Sequence, residues 1–253
     1  MHIDLSGRTV LITGATGELG RVMARTLANC GANLVIHYLQ NEAKAKQLKE
    51  ETEKLGVQAV MVQADITNEQ SVFRMKEQAE HAMEKIDIVV ANAVIQYEWT
   101  TILNQSPQDY ESQFQSCILQ NVYLAKAFVP GMIDRKYGRI IGINTECSML
   151  NNSNQSAYVA GKRGMDGLYR VLAKEVGEHQ ITVNQVAPGW TISDRDRKNG
   201  TVQRSEYEAG VPLRRRGEDQ DIANTVAFLA SDLAGFITGA YIPVCGGNIM
   251  PAI

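Results

Sequence analysis

Seven short apolar runs, separated by longer amphipathic ones, limit how this chain folds more than any other feature. They are RTVLIT (8–13), ANLVIH (32–37), VQAVMVQ (57–63), IDIVVAN (86–92), GRIIGIN (138–144), ITVNQVA (181–187) and GAYIPV (239–244). Most are rich in valine and isoleucine and apolar on both faces. A strand with one solvated face alternates apolar with polar residues. A strand apolar on both faces lies in a sheet covered on each side. The stretches between them carry helical spacing. LGRVMARTLANCG ends at Gly31, a plausible C-cap, and the highly charged NEAKAKQLKEETEKLG ends at Gly56. This alternation predicts βαβ units and an α/β fold, a doubly wound (Rossmann-type) parallel sheet of about seven strands with helices on both faces. No linker, repeat or low-complexity segment divides the chain, so residues 1–253 are expected to form one domain. One stretch breaks the rhythm. Residues 191–217, TISDRDRKNGTVQRSEYEAGVPLRRRG, are long, charged and poorly patterned.

The charge balance excludes some partners. A formal net charge of -3 creates no field favouring nucleic acid or an anionic membrane. Asp4 and Arg8 interrupt the place where a signal peptide needs an apolar stretch. No apolar run approaches the roughly 18 residues of a membrane span. Cys30, Cys117, Cys147 and Cys245 lack paired spacing. They read as free thiols rather than as disulfides or metal ligands, which points to the cytoplasm and to no metal site.

TGATGELG (13–20) follows the first expected strand and opens the first helix. Glycines 14, 17 and 20 allow a tight turn and close approach to a pyrophosphate, whose charge the helix N-terminus favours. The candidate phosphate cradle is Gly14, Thr16, Gly17, Glu18, Leu19 and Gly20; the alternative is a tight turn without a ligand. The end of the second strand reads VIHYLQNEAKAK, with no acid before Glu42. An acid there would accept from an adenosine 2′-hydroxyl and select NAD, so its absence favours NADP(H) over NAD(H). The glycine turn holds no arginine, which leaves His37, Gln40, Asn41 and Lys44 as candidates to meet a 2′-phosphate. His37 reads equally as a strand-end surface residue. Asp65, followed by Ile66, lies at the carboxyl edge of the third strand. It either accepts from an adenine amine or caps the next helix.

QSAYVAGKRGMDGLYRVLAKEV (155–176) reads as a helix that places Tyr158 and Lys162 on one face. A free tyrosine, with a pKa of about 10, is a poor base at neutral pH. A nearby ammonium lowers that value, and such a phenol exchanges a proton with a carbonyl or alcohol oxygen. The plain alternative is a solvated helix face.

Glycine turn, ANAV (91–94), Asn121, Tyr158-x-x-x-Lys162 and VAPGW (186–190) occur in the order and spacing of the short-chain dehydrogenase/reductases. The resemblance spans nearly the whole chain, and the tail at 212–247 is similar to that of 3-oxoacyl-carrier-protein reductase-type members. It implies an oxidoreductase that interconverts a small-molecule carbonyl and alcohol, with Tyr158 as acid/base. It makes Lys162 the holder of the nicotinamide ribose and the group that depresses the tyrosine pKa. Asn121 would sit at a helix kink and support a water in a proton relay. Asn92 and Ala93 would border the cofactor, and Pro188, Gly189 and Thr191 would meet its carboxamide. Thr145 occupies the position of the family's serine hydroxyl, with Ser148 a second candidate. A homotetramer and a mobile lid over residues 191–217 are further expectations. The chain departs from the pattern at Glu18 and Val94, where glycines are usual, and at Cys245, where aspartate is common. The glycine spacing is that of the extended branch, but the chain is too short for that branch's extra domain. A competing reading is a non-catalytic dinucleotide-binding sensor or scaffold, for which the Tyr158–Lys162 pair would be unnecessary.

Overall fold

The computed structural model describes residues 3–251. One sheet contains β1 (Thr9–Ile12), β2 (Asn33–Tyr38), β3 (Ala59–Gln63), β4 (Ile88–Ala91), β5 (Gly138–Ile143), β6 (Ile181–Pro188) and β7 (Tyr241–Val244). All pairings are parallel, in the order β3-β2-β1-β4-β5-β6-β7. Each strand lies within two residues of an expected run. The helices are α1 (Glu18–Asn29), α2 (Glu42–Glu53), α3 (Glu69–Met83), α4 (Pro107–Gln113), α5 (Gln120–Arg135), α6 (Cys147–Leu150), α7 (Ser156–Val176), α8 (Asp194–Asn199), α9 (Ser205–Gly210) and α10 (Asp219–Ala230). A π-helical turn, Phe114–Leu119, joins α4 to α5.

The apolar runs are continuous because two core layers use them. On β1, Val10 and Ile12 enter a layer with Met23 and Leu27 of α1 and Ile222 and Val226 of α10. Leu11 enters the opposite layer with Met75 of α3, Phe128 of α5 and Tyr169 of α7. Successive side chains on a strand point to opposite faces, so both faces require burial. Each large side chain fully withdrawn from water contributes roughly 1.5–3 kcal/mol.

The strand order also positions the crevice. From β1 the chain moves outward through β2 and β3, then returns to the other side of β1 at β4. Connections therefore diverge at the carboxyl ends of β1 and β4, where open α/β sheets bind ligands. Asn68 caps α3 by accepting from the Ser71 N–H. Gly17 at the start of α1 has no capping side chain, so the first-turn N–H groups of that helix lack a side-chain acceptor.

Residues 191–217 are more ordered than their patterning indicates. They contain α8 and α9, and α8 opens with a capping box between Ser193 and Asp196.

Candidate active site

Thr13 laces the ends of β1 and β4 together. Its Oγ1 accepts from the N–H groups of Asn92 at 2.9 Å and Ala93 at 3.0 Å. The Asn92 amide returns the contact, donating to the carbonyls of Thr13 at 3.0 Å and Gly14 at 3.1 Å. Gly14 has φ +61°, and a Cβ there would lie 3.1 Å from the Ala93 Cα. At Gly20 a Cβ would lie 2.8 Å from the Ala15 Cα. Both positions thus require glycine, and Gly17 and Glu18 stay exposed at the uncapped start of α1. A glycine-rich turn leading into free helix N–H groups at a switch point fits a pyrophosphate. Thr16 is half-buried, and its carbonyl accepts from Arg21 at 2.7 Å. Arg21, one turn into α1, is a cation beside the turn, although no arginine lies within the turn itself.

The reading of His37 as a 2′-phosphate contact is corrected. Its ring is 1% exposed. Nδ1 accepts from the Gly14 N–H at 2.9 Å, and Nε2 lies 3.0 Å from the Ala64 carbonyl oxygen. The first contact needs a bare Nδ1 and the second a protonated Nε2, so the ring is one neutral tautomer. Burial also pushes its pKa down. It is therefore a strut between three strand ends, with no donor to spare. Asp65 is exposed, and its Oδ1 takes the N–H and hydroxyl of Thr67 at 2.9 and 2.6 Å. The cap of α3 is Asn68, so the helix-cap alternative for Asp65 does not hold. Ile66 is buried beside it.

Tyr158, Lys162, Thr145 and Asn121 converge at the carboxyl end of β5. Lys162 is buried, and its Nζ donates to the Ile143 carbonyl at 2.6 Å. That Nζ lies 5.8 Å from the centre of the Tyr158 ring. Burial pushes the lysine pKa down and holds the tyrosine phenol well above its ordinary range. Among the smaller influences on the phenol, the neighbouring Cys147 and Cys117 raise it further and the Thr145 hydroxyl lowers it. The phenol is thus shifted upward, chiefly by loss of hydration, and not depressed as the Tyr158–Lys162 spacing led one to expect. Thr145 Oγ1 accepts from the Cys147 N–H at 3.2 Å. Ser148 points elsewhere: its Oγ sits 3.0 Å from the Thr145 carbonyl oxygen and 2.8 Å from the Tyr241 hydroxyl, fully buried. Asn121 follows the π-helical turn, and its amide donates to the Cys117 carbonyl at 2.7 Å.

Two aromatic residues from the β4–α4 connection complete the wall, and nothing in the sequence singled them out. The Tyr97 hydroxyl accepts from the Tyr158 N–H at 2.7 Å. Trp99 stacks on Tyr158, with ring centres 5.8 Å apart and planes 28° apart. Pro188 ends β6, with its carbonyl accepting from the Glu146 N–H at 2.9 Å. Thr191 turns its hydroxyl back to the Gly189 carbonyl at 3.1 Å. Beyond them, Arg216 organises residues 191–217. Its buried guanidinium donates to the carbonyls of Trp190, Thr191, Thr201 and Val202 and to Asp196 Oδ2 at 2.8 Å. The segment is tied to the rest of the chain by an ion pair of Arg21 with Asp194 near its start and by the Tyr207 hydroxyl in its middle donating to the buried Glu146 at 2.8 Å.

A family model described as enoyl-(acyl carrier protein) reductase matches residues 14–248, which include the glycine turn, Thr145, Tyr158 and Lys162. The chain belongs to the short-chain dehydrogenase/reductase family. It is 35% identical over 249 residues to the 3-oxoacyl-[acyl-carrier-protein] reductase of Pseudomonas aeruginosa, covering 98% of this chain and 100% of that protein. Its identity to the Rickettsia felis protein of the same description is 36% over 251 residues, covering 98% and 99%. Among solved structures, it is similar to a 7α-hydroxysteroid dehydrogenase complexed with NADH and 7-oxo glycochenodeoxycholic acid. There the TM-score is 0.89 and the identity 30%, covering 99% of this chain and 97% of that one. As a short-chain dehydrogenase/reductase, the protein is an NAD(P)-dependent oxidoreductase. The family's usual glycine at Val94 is absent without loss of the Asn92 and Ala93 contacts to Thr13. Cys245 is buried, where it accepts from the Ile249 N–H at 3.4 Å.

Proposed function

We propose that this enzyme interconverts a carbonyl and a secondary alcohol, with Tyr158 as general acid/base. The observation that carries the proposal is the pairing of half-buried Tyr158 with buried Lys162 beside Thr145. When bound, the nicotinamide cofactor would supply or accept the hydride. Thr16, Glu18, Leu19 and Gly20 would hold the phosphates through backbone N–H groups, and Gly14 and Gly17, whose own N–H groups are taken by His37 and the Gly14 carbonyl, would let them approach. Asp65 and Ile66 border the adenine end; Asn92, Ala93, Pro188, Gly189 and Thr191 border the nicotinamide end. Lys162, with one proton on Ile143, has others free for a ribose hydroxyl. The Thr145 hydroxyl orients the substrate oxygen. A phenol held above its ordinary pKa stays protonated at neutral pH, which favours proton donation to a carbonyl. Positioned proton transfer is typically worth about 10²–10⁴ in rate.

The decisive test is Tyr158→Phe, assayed at the nicotinamide absorbance with a panel of 3-oxoacyl thioesters, 7-oxo steroids and simple cyclic ketones. Turnover should fall by at least about a hundredfold while cofactor still binds. Full activity in Tyr158→Phe would falsify the mechanism, and binding of cofactor without turnover of any panel member by the parent would favour the sensor or scaffold reading.

NADP(H) is the preferred cofactor in this proposal. Support comes from the absence of a carboxylate between His37 and Asn41. With His37 committed elsewhere, Gln40, Asn41 and Lys44 remain to meet the 2′-phosphate. Calorimetric titration with both cofactors decides the point, and tighter binding of NAD(H) would reverse it. We also propose that residues 191–217 act as a substrate lid and that the protein works in the cytoplasm. The four free cysteines, and the lack of any helix long and apolar enough to cross a membrane among the described residues, support that location.

A further inference from the structure

The buried face of α7 carries a second tyrosine that the mechanism above does not use. Tyr169 lies seven residues beyond Lys162, two helical turns along the same stripe. It is 1% exposed, and its hydroxyl donates to Asn121 Oδ1 at 2.8 Å. Burial holds this phenol far above its ordinary range, so it is a fixed donor. The Asn121 carboxamide is thereby held at both ends. Its oxygen accepts from Tyr169, and its nitrogen donates to Cys117, the carbonyl four residues back that a regular helix would pair with the Asn121 backbone N–H. The π-helical turn lies just before Asn121, and the side-chain amide donates to a carbonyl of that turn.

The Tyr169 ring fits because β5 leaves room for it. A Cβ on Gly142 would lie 2.8 Å from the ring's Cε1 and Cζ atoms. The residue after Gly142 is Ile143, whose carbonyl holds the Lys162 ammonium. On the other side, the π-helical turn meets α7 at Gly161, where a Cβ would lie 3.1 Å from the Cys117 Cβ. Tyr169, Asn121, Cys117 and Gly161 thus form one closed circuit around the lysine.

We propose that Tyr169 is a positioning residue for proton transfer, fixing the Asn121 carboxamide and with it the π-helical wall that faces Lys162. This rests on the reading of Asn121 as the support of a proton relay. A phenylalanine at 169 would keep the ring in its slot and release the amide.

The test compares Tyr169→Phe, Asn121→Ala and the double variant. Acetoacetyl-N-acetylcysteamine and cyclohexanone are the substrate probes, and cofactor binding is followed by fluorescence. An amide-selective readout, exchange of the Asn121 side-chain protons by nitrogen-15 NMR, needs no substrate. Tyr169→Phe is expected to lower kcat about tenfold, a change of about 1.4 kcal/mol. KM and cofactor affinity should stay within about twofold, and the Asn121 amide protons should exchange at least about tenfold faster. The double variant should be no slower than Asn121→Ala. Tyr169→His, which returns a ring N–H, should recover part of kcat. Parental amide exchange in a folded Tyr169→Phe or Tyr169→Leu overturns the proposal, as do parental kcat in either and additive losses in the double variant. If neither variant at 169 folds, parental kcat and KM in Asn121→Ala overturn it alone, because Tyr169 acts only through that residue. Loss of the oxidoreductase reading itself would appear separately, as activity surviving in Tyr158→Phe.

Discussion

Thr145 carries its hydroxyl on a β-branched side chain, which restricts χ1 to few rotamers. The added methyl therefore decides how well the hydroxyl meets a substrate oxygen. Thr145→Ala should lower kcat by about ten- to a hundredfold, less than Tyr158→Phe, and Thr145→Ser should retain most of it. Ser148→Ala should leave kcat unchanged and lower thermal stability, because its hydroxyl is spent on Tyr241 and the Thr145 carbonyl. Steady-state kinetics on the three variants checks this, and loss of turnover in Ser148→Ala with none in Thr145→Ala would reverse the assignment. His37 supplies a pH prediction. Its folded pKa lies below its unfolded value of about 6.5, so the native state prefers the neutral ring. The associated stability is fully present above about pH 6.5 and declines as pH falls toward the folded value, since only the unfolded chain then takes up the proton. Urea midpoints measured between about pH 7.5 and 5.5 should fall more for the parent than for His37→Asn. Parallel profiles would show that His37 does not carry the effect. The identity of His37 was plain in the sequence, but its role was not. Exposure and partners depend on β1 and β3, which flank it only in the sheet.

At the scale of elements, residues 191–217 show what patterning alone leaves out. Their charges read as solvated, yet the structure gathers them around Arg216. Holding Asp196 next to that guanidinium keeps its carboxyl far below the ordinary range of about 4. The carboxylate's contribution is therefore present at neutral pH and is lost only as acid protonates it. Arg216→Met removes the hub and leaves four carbonyls and Asp196 without their donor. Limited proteolysis within 191–217 should quicken by at least about tenfold, while global unfolding shifts less, because the segment opens locally. Unchanged cleavage would mean that the buried arginine does not hold the segment. If the segment is a lid, cofactor with substrate should slow cleavage of the parent. A single arginine in a run of three gives no local sign of which one is buried. Arg214 and Arg215 are exposed neighbours of the one that is not.

For the whole molecule, assembly is the open quantity. The apolar positions of CILQNVYLAKAFVPGMI (117–133) belong largely to the chain's own core, Leu124, Ala127, Phe128 and Met132 among them. Exposed apolar residues on the same elements now support the proposal better: Phe114 of the π-helical turn is 50% exposed and Val171 of α7 is 54% exposed. A homotetramer closed by two-fold axes would cover them. Light scattering at micromolar concentration should give four times the 27.9 kDa chain mass, and Phe114→Glu should shift it lower; a monomeric parent would sink the proposal. The fold class, the seven strands, the glycine turn and the Tyr158–Lys162 pair were all legible in the chain itself. Each is written in local sequence: continuous apolar runs for strands covered on both faces, a glycine every third residue, a pair one helical turn apart. Only the tertiary structure decided that His37 is a strut, that Ser148 faces away while Thr145 faces the phenol, that Trp99 stacks on Tyr158 and that Tyr169 holds Asn121. These depend on groups 23 to 93 residues apart meeting across strands and helices, and burial and hydrogen-bond geometry of that kind have no periodicity for a sequence to display.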